Sequence, residues 1–196
     1  MDYSYYELTL TRDPGAQRVL AEHVYGKLGD AAVAVWSPLL GFGSNQALVL
    51  TAKGADPAAV LQAPGVVGGI QTHLSPTLRP KDGARPAPLG VYVHNWFTTD
   101  GSVEEFVRLS GEAWPDFEAH FETRIFGLFL ADASEADGHE GSRRLLLMTG
   151  YKDLGEWQKS RSPAPTAAAA FQRRRQMTRV SLARSCVLVA RPGARP

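Results

Sequence analysis

Hydrophobic and polar positions alternate in short runs along this chain, and the runs fall into two successive sets. The first set reads as a strand at "YYELTL" (5–10), a helix opened by "DPG" from Asp13 to about Leu28, and a strand at "AAVAVWSPL" (31–39). A turn at "GFGSNQ", a strand at "ALVLTA" (47–52), a short helix after Asp56-Pro57 and a strand at "GIQTHLSP" (69–76) complete it. The second set repeats the order. It has a strand at "VYVHNWF" (91–97), a helix from "DGS" to about His120, and a strand at "RIFGLFL" (124–130). There follow a polar loop at "ADASEADGHEGS" (131–142), a strand at "RLLLMTG" (144–150), helical material from Asp153 to about Thr178, and a strand at "SLARSCVLVA" (181–190). Each set is β-α-β-β-α-β, the ferredoxin-like unit. Between them "RPKDGARPAPLG" replaces periodicity with prolines, glycines and charges, so it reads as a linker.

The expected fold is α+β, with two tandem ferredoxin-like units occupying residues 1–78 and 90–190, joined by a linker at 79–89 and followed by a loose tail at 191–196. A four-stranded sheet with both helices on one face leaves its other face bare. Two such sheets in one chain are therefore expected to pack sheet to sheet as an intramolecular α/β barrel. Side chains alternate faces along a strand. "VYVHNWF" thus puts Val91, Val93, Asn95 and Phe97 on one side and Tyr92, His94 and Trp96 on the other. The greasier side is expected under the helices, and the second side in a cavity between the sheets.

The two sets resemble the NIPSNAP-like branch of the dimeric α/β-barrel superfamily, which also holds small antibiotic-biosynthesis monooxygenases and haem proteins of the chlorite dismutase type. The resemblance is carried by "YELTLTRDPG", "GFGSNQALVL", "WPDFEAHFETRIFGLF" and "YKDLGEW", which mark strand, hairpin and helix junctions. Phe121 stands where that family commonly has a glycine, and Leu8 and His94 stand where it has an arginine. The resemblance implies the fold and names no catalytic residue.

Composition excludes several classes. The 196 residues are 44% hydrophobic and 21% charged, with 21 Lys and Arg against 20 Asp and Glu. That balance gives no general attraction to nucleic acid or to an anionic membrane. The N-terminal "MDYSYYELTL" lacks the basic and apolar regions of an export signal, and no stretch of about 18 uncharged apolar residues occurs. The expected compartment is the cytoplasm. The single cysteine, Cys186, reads as a small core residue.

His94 is the candidate catalytic residue, as a proton shuttle near neutral pH or a polar anchor, the other reading being a hydrogen-bonded core histidine. Tyr92 and Trp96 either stack on a flat ligand or fill the barrel. His73 and Gln71, on one face of their strand, could supply an opposite polar wall, or His73 could be a surface residue. His120 ends a long helix, where an imidazolium interacts favourably with the dipole, and it is the residue to nominate for iron if haem were bound. No paired metal-ligand spacing occurs, so no metal and no cofactor are expected. "FQRRRQMTR" reads as a solvated basic helix face. These readings lead to a small cofactor-independent enzyme that oxygenates, cyclises or isomerises a hydrophobic, aromatic or polyketide-like molecule. The alternatives are a non-catalytic binding or scaffold protein and, third, a haem barrel. The expected partner is a hydrophobic small molecule, with neither nucleic acid nor membrane, and a homodimer is compatible with this reading.

Overall fold

The computed structural model describes residues 2–133, 141–162 and 165–193. Most of the loop expected at 131–142 and the last residues of the expected tail lie outside them. The described residues are α+β, and their contacts gather into two compact units. One contains the chain up to Leu74 together with Arg184 onward, and the other runs from Ser75 to Ala183.

In the first unit the order is β1 (Tyr3–Leu10), α1 (Ala16–Leu28), β2 (Ala32–Leu40), β3 (Gln46–Ala52), α2 (Ala58–Leu61) and β4 (Val66–Pro76). The antiparallel sheet runs β4-β1-β3-β2, the ferredoxin-like order. Residues 185–188 of the final strand, β8 (Thr178–Leu188), add to its β2 edge. The even positions Tyr6, Leu8 and Leu10 of β1 pack with Leu20 and Val24 of α1. Their period-2 and period-3.6 apolar patterns meet at one interface. The Tyr25 hydroxyl locks α1 onto the sheet by accepting the Val35 N–H at 3.0 Å and donating to the Val189 carbonyl at 3.3 Å. Asn45, in the hairpin before β3, exchanges bonds with Leu10 through its backbone carbonyl and its side-chain amide. Cys186 is fully buried, as its apolar surroundings suggested. Helix α2 is a single turn, and Ile70 and Val67 on β4 are exposed.

The second unit holds β5 (Val91–Thr99), α3 (Val103–His120), β6 (Thr123–Ala131), β7 (Arg143–Tyr151), α4 (Leu154–Lys159), α5 (Pro165–Gln176) and the first part of β8. Its sheet order, β8-β5-β7-β6, repeats that of the first unit. Helix α3 begins where "DGS" predicts, because the Ser102 hydroxyl accepts the Glu105 N–H at 3.1 Å. Phe106, Trp114 and Phe117 form its buried stripe and pack on Val91, Val93 and Phe97 of β5. The expected alternation along "VYVHNWF" is therefore present. The helical material expected from Asp153 to Thr178 is two helices rather than one. Pro165 opens the second of them, at the first helical position, where its missing amide donor is not needed.

The segment from Arg79 to Gly90 carries no helix or strand, as its composition indicates. It is nevertheless held firmly. The Arg79 guanidinium binds Glu118 at 2.8 Å and lies 5.3 Å from the Trp114 ring centroid, and the Arg79 carbonyl accepts the Leu128 N–H at 3.1 Å. No helix among the described residues is long and apolar enough to cross a membrane.

Candidate functional site

Inside the second unit a cavity of about 580 Å³ opens between the sheet and its helices. Asn95 and Phe97 of β5 and Leu147, Thr149 and Tyr151 of β7 form its floor. They share one face because each set is spaced by two residues, and the antiparallel register sets Asn95 beside Leu147. Trp114 and Phe117 of α3, Trp157 of α4 and Phe171 of α5 supply aromatic walls. The Phe117 and Phe171 rings meet edge to face, 5.6 Å between centroids. The break between α4 and α5 keeps one continuous helix from crossing this part of the sheet.

Three polar groups, Asn95, Thr149 and Tyr151, stand on the floor. Among the described residues the Asn95 side-chain amide has no hydrogen-bonding partner. Tyr151 is 5% exposed, and burial raises its hydroxyl above the ordinary tyrosine value, with the Ser160 hydroxyl and nearby arginines opposing part of that effect. It is therefore a protonated donor across the neutral range.

The charge on the cavity is one-sided. Arg174 extends from α5 between three phenyl rings, with its guanidinium carbon 4.9 Å from the centroid of Phe171, 5.0 Å from Phe97 and 5.2 Å from Phe106. It donates one hydrogen bond to the Ser110 hydroxyl at 3.1 Å, and that hydroxyl donates to the Phe106 carbonyl. Desolvation first, and then the neighbouring Arg175, lower its pKa to about 10. Among the described residues no carboxylate pairs with it, although Arg173 next to it binds Glu105 at 3.2 Å. Arg161, Arg175 and Arg179 also border the cavity, and among the described residues no Asp or Glu does. Of these, Arg179 lies 3.7 Å from Asp100.

None of the residues nominated from sequence lines this cavity. His94, Tyr92 and Trp96 are buried on the sheet face away from α3 and α5. The Tyr92 hydroxyl donates to the Ala87 carbonyl at 2.6 Å, and the Arg144 guanidinium lies 4.3 Å from the Trp96 ring centroid. Burial lowers the His94 pKa to about 3, so its imidazole is neutral at physiological pH. His73 and Gln71 belong to β4 of the first unit, where both approach the Ser4 hydroxyl, at 3.3 and 3.1 Å. His120 is half exposed at the end of α3 and is held by the Asp116 carbonyl at 2.7 Å and carboxylate at 3.2 Å. That position lies outside the cavity. No group of three or more His, Cys, Asp or Glu converges among the described residues.

The basic run "FQRRRQMTR" corrects its reading as a wholly solvated face. Arg173 and Arg175 are exposed, whereas Arg174 turns inward. The signal was present in the spacing, since Arg174 lies three residues after Phe171 and thus on the same helix face. Asn95 had its signal too, as the polar residue between Val93 and Phe97 on the apolar side of β5.

No protein-family model and no curated protein matches the chain. Solved structures do. A candidate monooxygenase from Lactobacillus acidophilus NCFM superposes with a TM-score of 0.57 at 10% identity, covering 95% of this chain and 93% of that one. An anthrone oxidase-like protein gives 0.53 at 16% identity, covering 96% and 92%. A candidate chlorite dismutase gives 0.51 at 10% identity, covering 96% and 95%. With these structures the chain shares its fold, α+β with two ferredoxin-like halves. Identities this low show the fold and carry no activity with them.

Proposed function

We propose that the protein is a monooxygenase- or oxidase-like enzyme that acts, without a bound cofactor, on a hydrophobic aromatic small molecule in the cavity of the second unit. The observation that carries this reading is the cavity itself, with about 580 Å³ walled by Trp114, Phe117, Trp157 and Phe171 over a floor that holds the donors Asn95, Thr149 and Tyr151. Sites for organic ligands have this size and this mixture of apolar wall and few polar groups. Among the described residues the lining offers no His, Cys or carboxylate to hold a metal. The names of the similar structures point toward the same chemistry.

The aromatic walls orient a flat substrate and exclude water, which by itself can lower a barrier by several kcal/mol. When a C–H acidified by a conjugated carbonyl, such as the C10 methylene of anthrone, loses its proton to solvent water, negative charge collects on the carbonyl oxygen. The Asn95 amide and the Tyr151 hydroxyl are donors suited to that oxyanion. Anthrone under air is the direct test. Its C10 methylene loses two hydrogens, one atom of dioxygen becomes the new carbonyl oxygen of anthraquinone, and the other leaves as water. Saturable dioxygen uptake with a matching rise of anthraquinone absorbance is the expected result. Saturable binding without turnover would favour the second reading, a small-molecule-binding protein of the NIPSNAP type. Neither binding nor turnover would remove the cavity from consideration.

A further inference from the structure

The one-sided charge of the cavity bears on its ligand. We propose that the substrate is a planar aromatic carboxylate, its rings between Trp114, Phe117 and Trp157 and its carboxylate on the guanidinium of Arg174. This inference rests on the reading of the cavity as a small-molecule site and names the chemical class that it takes.

A guanidinium withdrawn from water is costly unless charge or hydrogen bonds compensate it. Arg174 has three phenyl faces and one hydroxyl. The faces supply cation–π attraction, and Ser110 uses one of the five N–H donors. Other arginines of the same unit show the usual solution, because Arg173 and Arg179 each lie within 4.0 Å of a carboxylate oxygen. Arg174 reaches the cavity with no carboxylate partner among the described residues, and Arg161 and Arg175 border the same cavity. A neutral ligand would leave that charge uncompensated, and a cationic one would oppose it.

The shape of the donor selects among anions. A guanidinium presents its N–H groups in a planar fork that matches the two oxygens of a carboxylate. The phenyl collar of Phe97, Phe106 and Phe171 confines Arg174 to few orientations, which suits a flat partner approaching edge-on. A tetrahedral phosphate would call for donors from several directions, and one confined guanidinium does not provide them. The Arg174 side chain springs from α5 while the tryptophans belong to α3 and α4, so the charged end and the ring system of the ligand meet different elements of one cavity.

Calorimetric titration with anthraquinone-2-carboxylate and its neutral isostere, anthraquinone-2-carboxamide, tests this on the full chain. We expect the carboxylate to bind at least about tenfold more tightly than the carboxamide, and raised salt to weaken the carboxylate selectively. In R174Q the two ligands should bind alike, at the level of the carboxamide on the unaltered protein. Equal affinity of the two for the unaltered protein, or a preference that survives in R174Q, overturns the carboxylate while leaving the cavity as an aromatic site. Binding of neither ligand overturns the cavity reading and this inference together. Should R174Q fail to fold, R174K keeps a charge without the fork. It should lose several-fold affinity for the carboxylate and none for the carboxamide, and unchanged carboxylate affinity in R174K would refute the bidentate contact.

Discussion

Asn95 and His94 are consecutive on β5 and face opposite ways, Asn95 into the cavity beneath the helices and His94 into fully buried surroundings on the other side of the sheet. One strand step thus separates a group that can meet a ligand from one whose protonation is suppressed by burial.

The suppression has a sign that can be measured. The His94 pKa is lowered by desolvation from 6.5 to about 3, so between these values the unfolded chain binds a proton that the folded chain does not. Stability must therefore fall as the pH drops through this window, by roughly 1.4 kcal/mol per unit. His94→Gln removes the titration. Urea denaturation at pH 7, 6, 5 and 4 should show the variant less stable at pH 7 and the gap to the unaltered protein closing as the pH falls. A gap that stays constant would mean that His94 titrates alike in both states. Turnover of the variant per folded molecule should stay near normal, because the imidazole lies outside the cavity.

Ala183 borders the cavity from β8 and is itself exposed. Ala183→Trp puts an indole into the cavity without emptying or crowding a core position, and exposed substitutions of this kind usually change stability by no more than about 0.5 kcal/mol. Anthrone turnover and anthraquinone-2-carboxylate binding should both fall at least tenfold while the melting temperature holds. Unchanged binding would place the ligand elsewhere.

Tyr151→Phe removes one floor donor and keeps the ring. If that hydroxyl meets an oxyanion formed during the reaction, the rate constant should fall by about 10²-fold with substrate affinity nearly unchanged. Steady-state kinetics that moved KM alone would assign Tyr151 to binding.

The fold was legible because its signals are local. Alternation along "VYVHNWF" follows from strand geometry, the Ser102 cap from its hydroxyl three residues before Glu105, and the repeated element order from both. The cavity was less legible because it depends on where helices fail to cover a sheet. Asn95 shares its face with Val91, Val93 and Phe97, so sequence alone makes it a polar exception in a greasy row. His94, with two aromatic neighbours, draws attention through its titration near neutral pH, a property that complete burial removes. Arg174 sits in a run of three arginines, and only the spacing to Phe171 tells it from the two that face water.

The segment from Arg79 to Gly90 should prove as sensitive as a core element at one point. A Cβ on Gly127 of β6 would stand 2.6 Å from the Pro80 Cδ and 2.8 Å from the Phe129 ring. Both neighbours are stiff rings, so Gly127→Ala should cost about 1–3 kcal/mol by overpacking. Chemical denaturation reads this directly, and a cost below about 0.5 kcal/mol would show that the segment after Arg79 yields easily.

The same segment is tied down by charge, and there two substitutions separate charge from hydrogen bonding. Glu118 is nearly buried, and one of its carboxylate oxygens accepts both the Arg79 guanidinium and the Ile125 N–H, each at 2.8 Å. Glu118→Gln keeps an acceptor for the amide and loses the ion pair. Because Arg79 remains about a third exposed, the pair is partly screened, and this change should cost only about 1 kcal/mol. Glu118→Ala removes the acceptor as well and leaves the Ile125 N–H at the start of β6 without it. An unsatisfied buried donor adds about 1–3 kcal/mol. Denaturation midpoints in low and high salt should therefore rank the unaltered protein above Glu118→Gln and that above Glu118→Ala, with salt narrowing only the first interval. Equal losses in the two variants would mean that the charge alone holds the segment and that the Ile125 amide finds another acceptor when the carboxylate is gone.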